Sequence, residues 1–127
     1  MLRYVPAKPI VIRHLIRVLG QDIRVVTKLP SPLNPGPKGL VHVLMAPGSE
    51  DQVTARPRID LHNFAADEAS LGTLTAATHG AMISLPADGQ EAQPVDAVRA
   101  IQLPADLYWS DAVLRTVAVY ELDIRPA

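Results

Sequence analysis

Hydrophobic and polar positions alternate along this chain with two periods, helical and strand-like. Residues 9–19 place Val11, Ile12, Leu15, Val18 and Leu19 on one stripe at helical spacing, with Arg13, His14 and Arg17 mostly off it. Pro9 suits a first helical turn, where its missing N–H costs nothing, and Gly20 is a natural C-terminal stop. Residues 1–8 read as an extended arm. Residues 22–28 alternate, with Ile23, Val25 and Thr27 against Asp22, Arg24 and Lys28; Val26 is the exception in a half-buried strand. Four prolines, Pro30, Pro32, Pro35 and Pro37, then fall within eight positions. Each removes a backbone donor, so a semi-rigid projecting loop is expected rather than a strand. Residues 40–46 are apolar on both faces, the pattern of a central strand, and residues 47–57 form a polar loop.

Residues 57–63 give a short alternating strand that runs into a helix over 65–85 built largely of small side chains. Leu71, Leu74, Thr78, Ala81, Met82 and Leu85 make its apolar stripe. Gly72 and Gly80 each cost roughly 1 kcal/mol relative to alanine inside a helix, which predicts a close backbone neighbour or a break near His79-Gly80. The face carrying Gly72, Thr73, Ala76 and Gly80 is where that neighbour is expected. Residues 86–94 read as a flexible acidic loop with a turn at Asp88-Gly89. A strand over 95–103 has Val98 and Ala100 out of phase with Ile101 and Leu103, which a bulge would reconcile. Residues 104–112 form a loop holding Tyr108 and Trp109. A last strand over 114–125 puts Leu114, Ala118, Tyr120, Leu122 and Ile124 on one face. Its other face, from Arg115 through Val117 and Val119 to Glu121, Asp123 and Arg125, is apolar in the middle and charged at the end. The order is α-β-β-β-α-β-β. The fold class expected is α+β, with a mixed or antiparallel sheet of about five strands packed with two helices.

Composition narrows function without naming it. At 127 residues the chain is one domain, residues 1–127, and its 48% hydrophobic and 20% charged residues are ordinary for a globular protein. A formal net charge of −1 gives no drive toward nucleic acid or an anionic membrane. The absence of cysteine excludes disulfides and thiolate chemistry and suits a reducing compartment. The apolar run 10–19 is too short and too charged for a signal peptide or a membrane span.

Candidate chemistry is sparse. His14, His42, His62 and His79 make no His-Glu-x-x-His spacing. Asp60 and His62 share a strand face and could share a metal, but a site needs a third ligand, and none can be placed. Asn34-Pro35-Gly36-Pro37-Lys38-Gly39 mixes glycine and lysine, but its prolines remove the N–H groups that would cradle a phosphate. Asp67-Glu68 sits in the first turn of the second helix, where acids oppose the helix dipole. No catalytic residue, metal ligand set or cofactor is therefore expected, and no enzymatic activity. The candidate interface is Pro30, Pro32, Pro35 and Pro37 together with Tyr108 and Trp109. Adjacent aromatics in a loop can cap one end of a small core or meet a partner, and a stiff proline loop loses little entropy on docking.

The leading helix Ile10–Leu19, a hairpin around Val25-Val26-Thr27-Lys28-Leu29-Pro30, the Arg58-Ile59-Asp60-Leu61 strand entering an alanine-rich helix, and the closing run Leu114–Arg125 with Arg115 and Tyr120 together resemble the tail terminator proteins of long-tailed bacteriophages. The resemblance covers nearly the whole chain. It implies a virion structural protein, assembled in the host cytoplasm, that forms a homo-oligomeric ring, typically a hexamer, at the head-proximal end of the tail. Such a ring stops tail-tube polymerisation and joins the tail to a neck or head-completion protein, and genomic DNA passes its lumen without sequence-specific binding. Another head–tail connector, such as a stopper or neck protein, and a small enzyme or ligand-binding α+β domain are the alternatives.

Overall fold

The computed structural model describes residues 6–50, 54–87 and 95–125. Two helices lie on one face of a five-stranded sheet, in the expected order α-β-β-β-α-β-β: α1 (Ala7–Leu19), β1 (Arg24–Val26), β2 (Leu40–Glu50), β3 (Ala55–Ala65), α2 (Glu68–Ser84), β4 (Val95–Asp106) and β5 (Leu114–Ile124), with a 3-10 turn at Leu85–Ala87. The spatial order is β1-β2-β3-β5-β4. β1 runs parallel to β2, and the other neighbours pair antiparallel. The extended arm expected over 1–8 falls largely outside the described residues, as does most of the acidic loop 86–94.

The inner face of the sheet carries Val41, Val43, Ile59, Leu61, Ala118, Tyr120, Leu122 and Ile124, and both helices close over it. α2 buries the stripe its sequence predicts, Leu71, Leu74, Thr78, Ala81 and Met82, with Leu85 following in the 3-10 turn. Asp67 caps it, accepting from the Ser70 backbone N–H at 2.8 Å. Those bonds favour the carboxylate and hold the Asp67 pKa below its ordinary value. Gly72 and Gly80 do not break the helix, and a Cβ at either would meet nothing within 4 Å. Within one chain they have no close neighbour.

α1 departs from expectation. It begins at Ala7, two residues early, so the set 7, 10, 11, 14 and 15 becomes the better one-sided stripe. His14 is therefore buried rather than outside the stripe, and Val18 is half exposed rather than within it. The His14 ring is satisfied there: its Nε2 donates to the Ala81 carbonyl at 2.7 Å, and Arg17 reaches Nδ1 at 3.5 Å.

The larger correction concerns β1. It is three residues long, not seven, and no hairpin follows it. Residues 27–39 carry the chain from β1 back to the start of β2, so that Arg24 pairs with Leu40 and Val26 with His42 in parallel. The proline segment does not simply project. Pro35 is buried, and Leu29 and Leu33 pack on a second, smaller core of Leu40, Phe64 and Val113 on the opposite face of the sheet. Val26, the exception in the alternation of its strand, faces this second core.

The return into β2 depends on Gly39, whose φ of +103° lies where L side chains are strained. A Cβ there would meet Leu74 Cδ2 at 2.6 Å and the Phe64 carbonyl oxygen at 2.9 Å. Gly36 has a φ of +76° but open space around it. Gly39→Ala is expected to destabilise the fold by about 1–3 kcal/mol and Gly36→Ala by less, since only the first adds a clash to the backbone strain. Chemical denaturation of the two variants side by side measures the difference.

β2 and β3 extend into the expected polar loop 47–57 from either side, to Glu50 and from Ala55, with a register shift between Ala46 and Ser49. β4 runs on to Asp106, past Pro104, with three irregularities against β5, so the bulge expected near residues 98–101 is present. β5 alternates as predicted.

Candidate assembly surface

The helix-free face of the sheet is laid out as rungs. Leu40 pairs with Phe64 and Phe64 with Arg115; His42 with His62 and His62 with Val117; Leu44 with Asp60 and Asp60 with Val119; Ala46 with Arg58 and Arg58 with Glu121. Moving along the strands, the face passes from aromatic and aliphatic, through a histidine rung, to charge.

At the charged end Arg99 donates to Glu121 at 2.7 Å and to Asp123 at 2.6 and 3.0 Å, and Arg58 donates to Glu121 at 3.2 Å. The Arg99 hydrogen bonds hold the Glu121 pKa below its ordinary range. These exposed pairs fix side-chain direction more than they stabilise the fold.

At the apolar end the sequence-predicted interface residues divide. The proline segment and the Trp109 loop both come to rest around Phe64. Leu29 and Leu33 pack against its cluster, and the Trp109 ring meets Phe64 edge-on at 5.2 Å and 81°. The Arg115 guanidinium lies 5.0 Å from the Trp109 ring centroid, in cation–π range, and its Nη2 donates to the Tyr108 carbonyl. Trp109, 41% exposed, thus caps the second core, whereas Tyr108, 73% exposed, points away with its hydroxyl on Asp111. Among the prolines, Pro32 and Pro37 are exposed, Pro30 is half-buried, and the buried Pro35 offers a partner little surface.

Two features escape a reading from sequence. First, the end of β4 is an uncovered apolar edge: Ile101, Leu103 (66% exposed) and Leu107 join Tyr108 and Trp109 there. Pro104 carries the signal that could have found it, since proline inside a strand confines that strand to an edge. Second, an open groove of about 560 Å³ separates the end of β4 from α2, lined by Gly72, Thr75, Ala76, His79, Pro104 and Asp106 among others. Gly72 and Ala76, on the helix face expected to meet a neighbour, line this groove. A smaller recess of about 260 Å³ under the 107–113 loop shares Glu68, Leu71 and Asp106 with it.

Below the groove, His79 Nδ1 and the Tyr120 hydroxyl are 2.8 Å apart, and burial pushes the Tyr120 pKa up to about 12. Tyr120→Phe is expected to cost about 1 kcal/mol in denaturant unfolding, the ordinary worth of one buried hydrogen bond.

The Asp60–His62 pair gains a third neighbour that the sequence could not supply, because His42 is the cross-strand partner of His62. The two imidazoles meet edge-to-face at 6.0 Å. Among the described residues, no group of three acidic or histidine side chains gathers into a metal-binding arrangement. No described helix is long and apolar enough to cross a membrane.

These observations define an α+β domain with both helices on one face of a mixed sheet and an uncovered apolar edge at one end of it. No protein-family model matches the chain, and no curated protein matches it by sequence. Among solved structures, it is similar to a chain of the "Virion of native gene transfer agent (GTA) particle", with a TM-score of 0.58 and 14% identity over 94% of each chain. At that identity the likeness is one of fold.

Proposed function

We propose that this chain is a structural protein of a phage-type virion, not an enzyme, and within that class a tail terminator. It forms a ring at the head-proximal end of the tail, stops growth of the tail tube and joins the tail to the neck. The observation that carries this reading is the fold-level likeness to a chain of a gene transfer agent virion, which spans nearly the whole of both proteins. The finer role rests on the resemblance of the α1, β3–α2 and β5 segments to terminators; the hairpin expected around residues 25–30 no longer supports it, since β1 pairs with β2 in parallel. The uncovered β4 end, the Tyr108–Trp109 loop and the open groove beside α2 supply surface for a head-to-tail contact. Such a contact uses two different patches per subunit and closes into a ring.

Purified chain is expected to run in light scattering with the mass of six copies of the 13.7 kDa protomer. Added to polymerising tail-tube protein from the same genome, it is expected to shorten the tubes in electron micrographs, with a ring at one end. Tubes that grow to the same length with and without the chain would overturn the terminator role. Binding to head-completion protein alone would place it among the neck connectors instead.

A further inference from the structure

The histidine rung joins the two loops of the candidate surface. His42 Nε2 lies 3.2 Å from the Thr27 carbonyl, and a carbonyl only accepts, so Nε2 carries the proton. Thr27 begins the proline-rich segment. The remaining nitrogen, His42 Nδ1, is buried with no hydrogen-bond partner. His62 stands edge-to-face beside it, 6.5 Å from Phe64, which in turn carries Trp109 and, through it, Arg115. One chain of ring contacts therefore runs from the start of the proline segment to the aromatic loop.

We propose that this rung is an acid-sensitive latch: protonation of His42 and His62 releases the proline segment and the Trp109 loop from the second core. A second proton on His42 creates a buried N–H with no acceptor, which costs the desolvation of that group unless the loop above it opens. A proton on His62 places a cation beside Arg115 of β5 and beside His42 of β2. Asp60, two residues along β3, works the other way: its Oδ1 is buried without a partner and its charge favours a protonated His62. Lys8 of α1 adds repulsion at His42. Burial is the largest effect on both rings and depresses both pKa values below the ordinary 6.5, so both are neutral at neutral pH.

Protons therefore bind the open or unfolded chain more readily than the latched one. The latch's contribution is complete above about pH 6.5 and is lost as the pH falls through that value toward the lowered ones. Glu121 titrates below its ordinary carboxylate value, so its ion pairs fail in a separate, more acidic window.

The latch gains its role in assembly only from the reading of this face as an assembly surface, but its test uses the isolated chain and does not depend on ring formation. Trp109 is the single tryptophan and reports the loop directly. Its emission is expected to be unchanged above about pH 6.5 and to shift to the red, reversibly, as the pH falls below that value, with far-ultraviolet circular dichroism unchanged. His42→Gln and His62→Gln are each expected to weaken the transition, and Asp60→Asn to move it to higher pH, because the latched state loses the charge that lets it tolerate a protonated His62. Flat emission in the wild type, or an unaltered transition in both histidine variants, would overturn the latch. Imidazole NMR titration of the wild type needs no variant. Midpoints below 6.5 for His42 and His62 support the latch, and midpoints at or above that value refute it.

Discussion

Phe64→Ala is expected to destabilise the chain by about 3–5 kcal/mol, the range for removing a fully buried phenylalanine ring. The unfolding midpoint should fall by roughly 10–20 °C. The position is fully buried and central to the second core: Leu40, Val113, Leu29 and Leu33 pack in its cluster, and Trp109 meets its ring. Little else there can collapse into the space, because Leu40 is held in a strand and the proline segment is stiff. The effect should also be local as well as global. Below its melting point the variant should show red-shifted Trp109 emission, since the indole loses its platform. Leu61→Ala, in the main core on the other face of the same strand, should cost a comparable 2–5 kcal/mol yet leave the emission native. Identical fluorescence in the two variants, measured with equal populations folded, would show that the loops do not rest on Phe64.

The contrast between Phe64 and Leu61 also shows what was legible beforehand. The α2 stripe and the alternation of β5 were readable because a helix or a half-buried strand has one core, and a single core imposes a single period. The sequence of β2 is apolar on both faces, and the structure explains why: Val41 and Val43 face the helices while Leu40 faces the proline segment. The parallel pairing of β1 was not readable, because periodicity records which face is buried and not which strand lies alongside. A helix started at Pro9 puts His14 outside the stripe, whereas the observed start at Ala7 makes 7, 10, 11, 14 and 15 the buried set. In the candidate surface, Trp109 as a core cap was visible as one of two readings of an aromatic pair in a loop. The groove was not, since its walls come from α2 and β4, elements that follow one another in sequence but close on each other only through the tertiary fold. The histidine rung was half visible: Asp60 and His62 share a strand face by spacing alone, whereas His42 joins them only through the β2–β3 register.

Leu103→Glu should separate assembly from folding. Leu103 is the most exposed large aliphatic side chain of the described residues and neighbours Pro104 on the irregular edge of β4. In the isolated chain the substitution replaces apolar surface already in water, so the unfolding midpoint should stay close to that of the wild type, the usual outcome at such positions. In a ring that covers this edge, the same carboxylate is desolvated without a partner. That penalty is about 2 kcal/mol or more per contact, roughly a 30-fold loss of affinity at each subunit boundary. A closed ring repeats the loss at every boundary, so the variant should sediment as a protomer at concentrations where the wild type is fully assembled. Leu103→Ala gives a comparison in which the same exposed surface shrinks with no charge introduced. A ring of unchanged stability in Leu103→Glu would remove the β4 edge from the subunit contact. Loss of the ring with a native unfolding midpoint would assign this edge to it, and would explain why the β4 edge keeps leucine and isoleucine in water in the isolated chain.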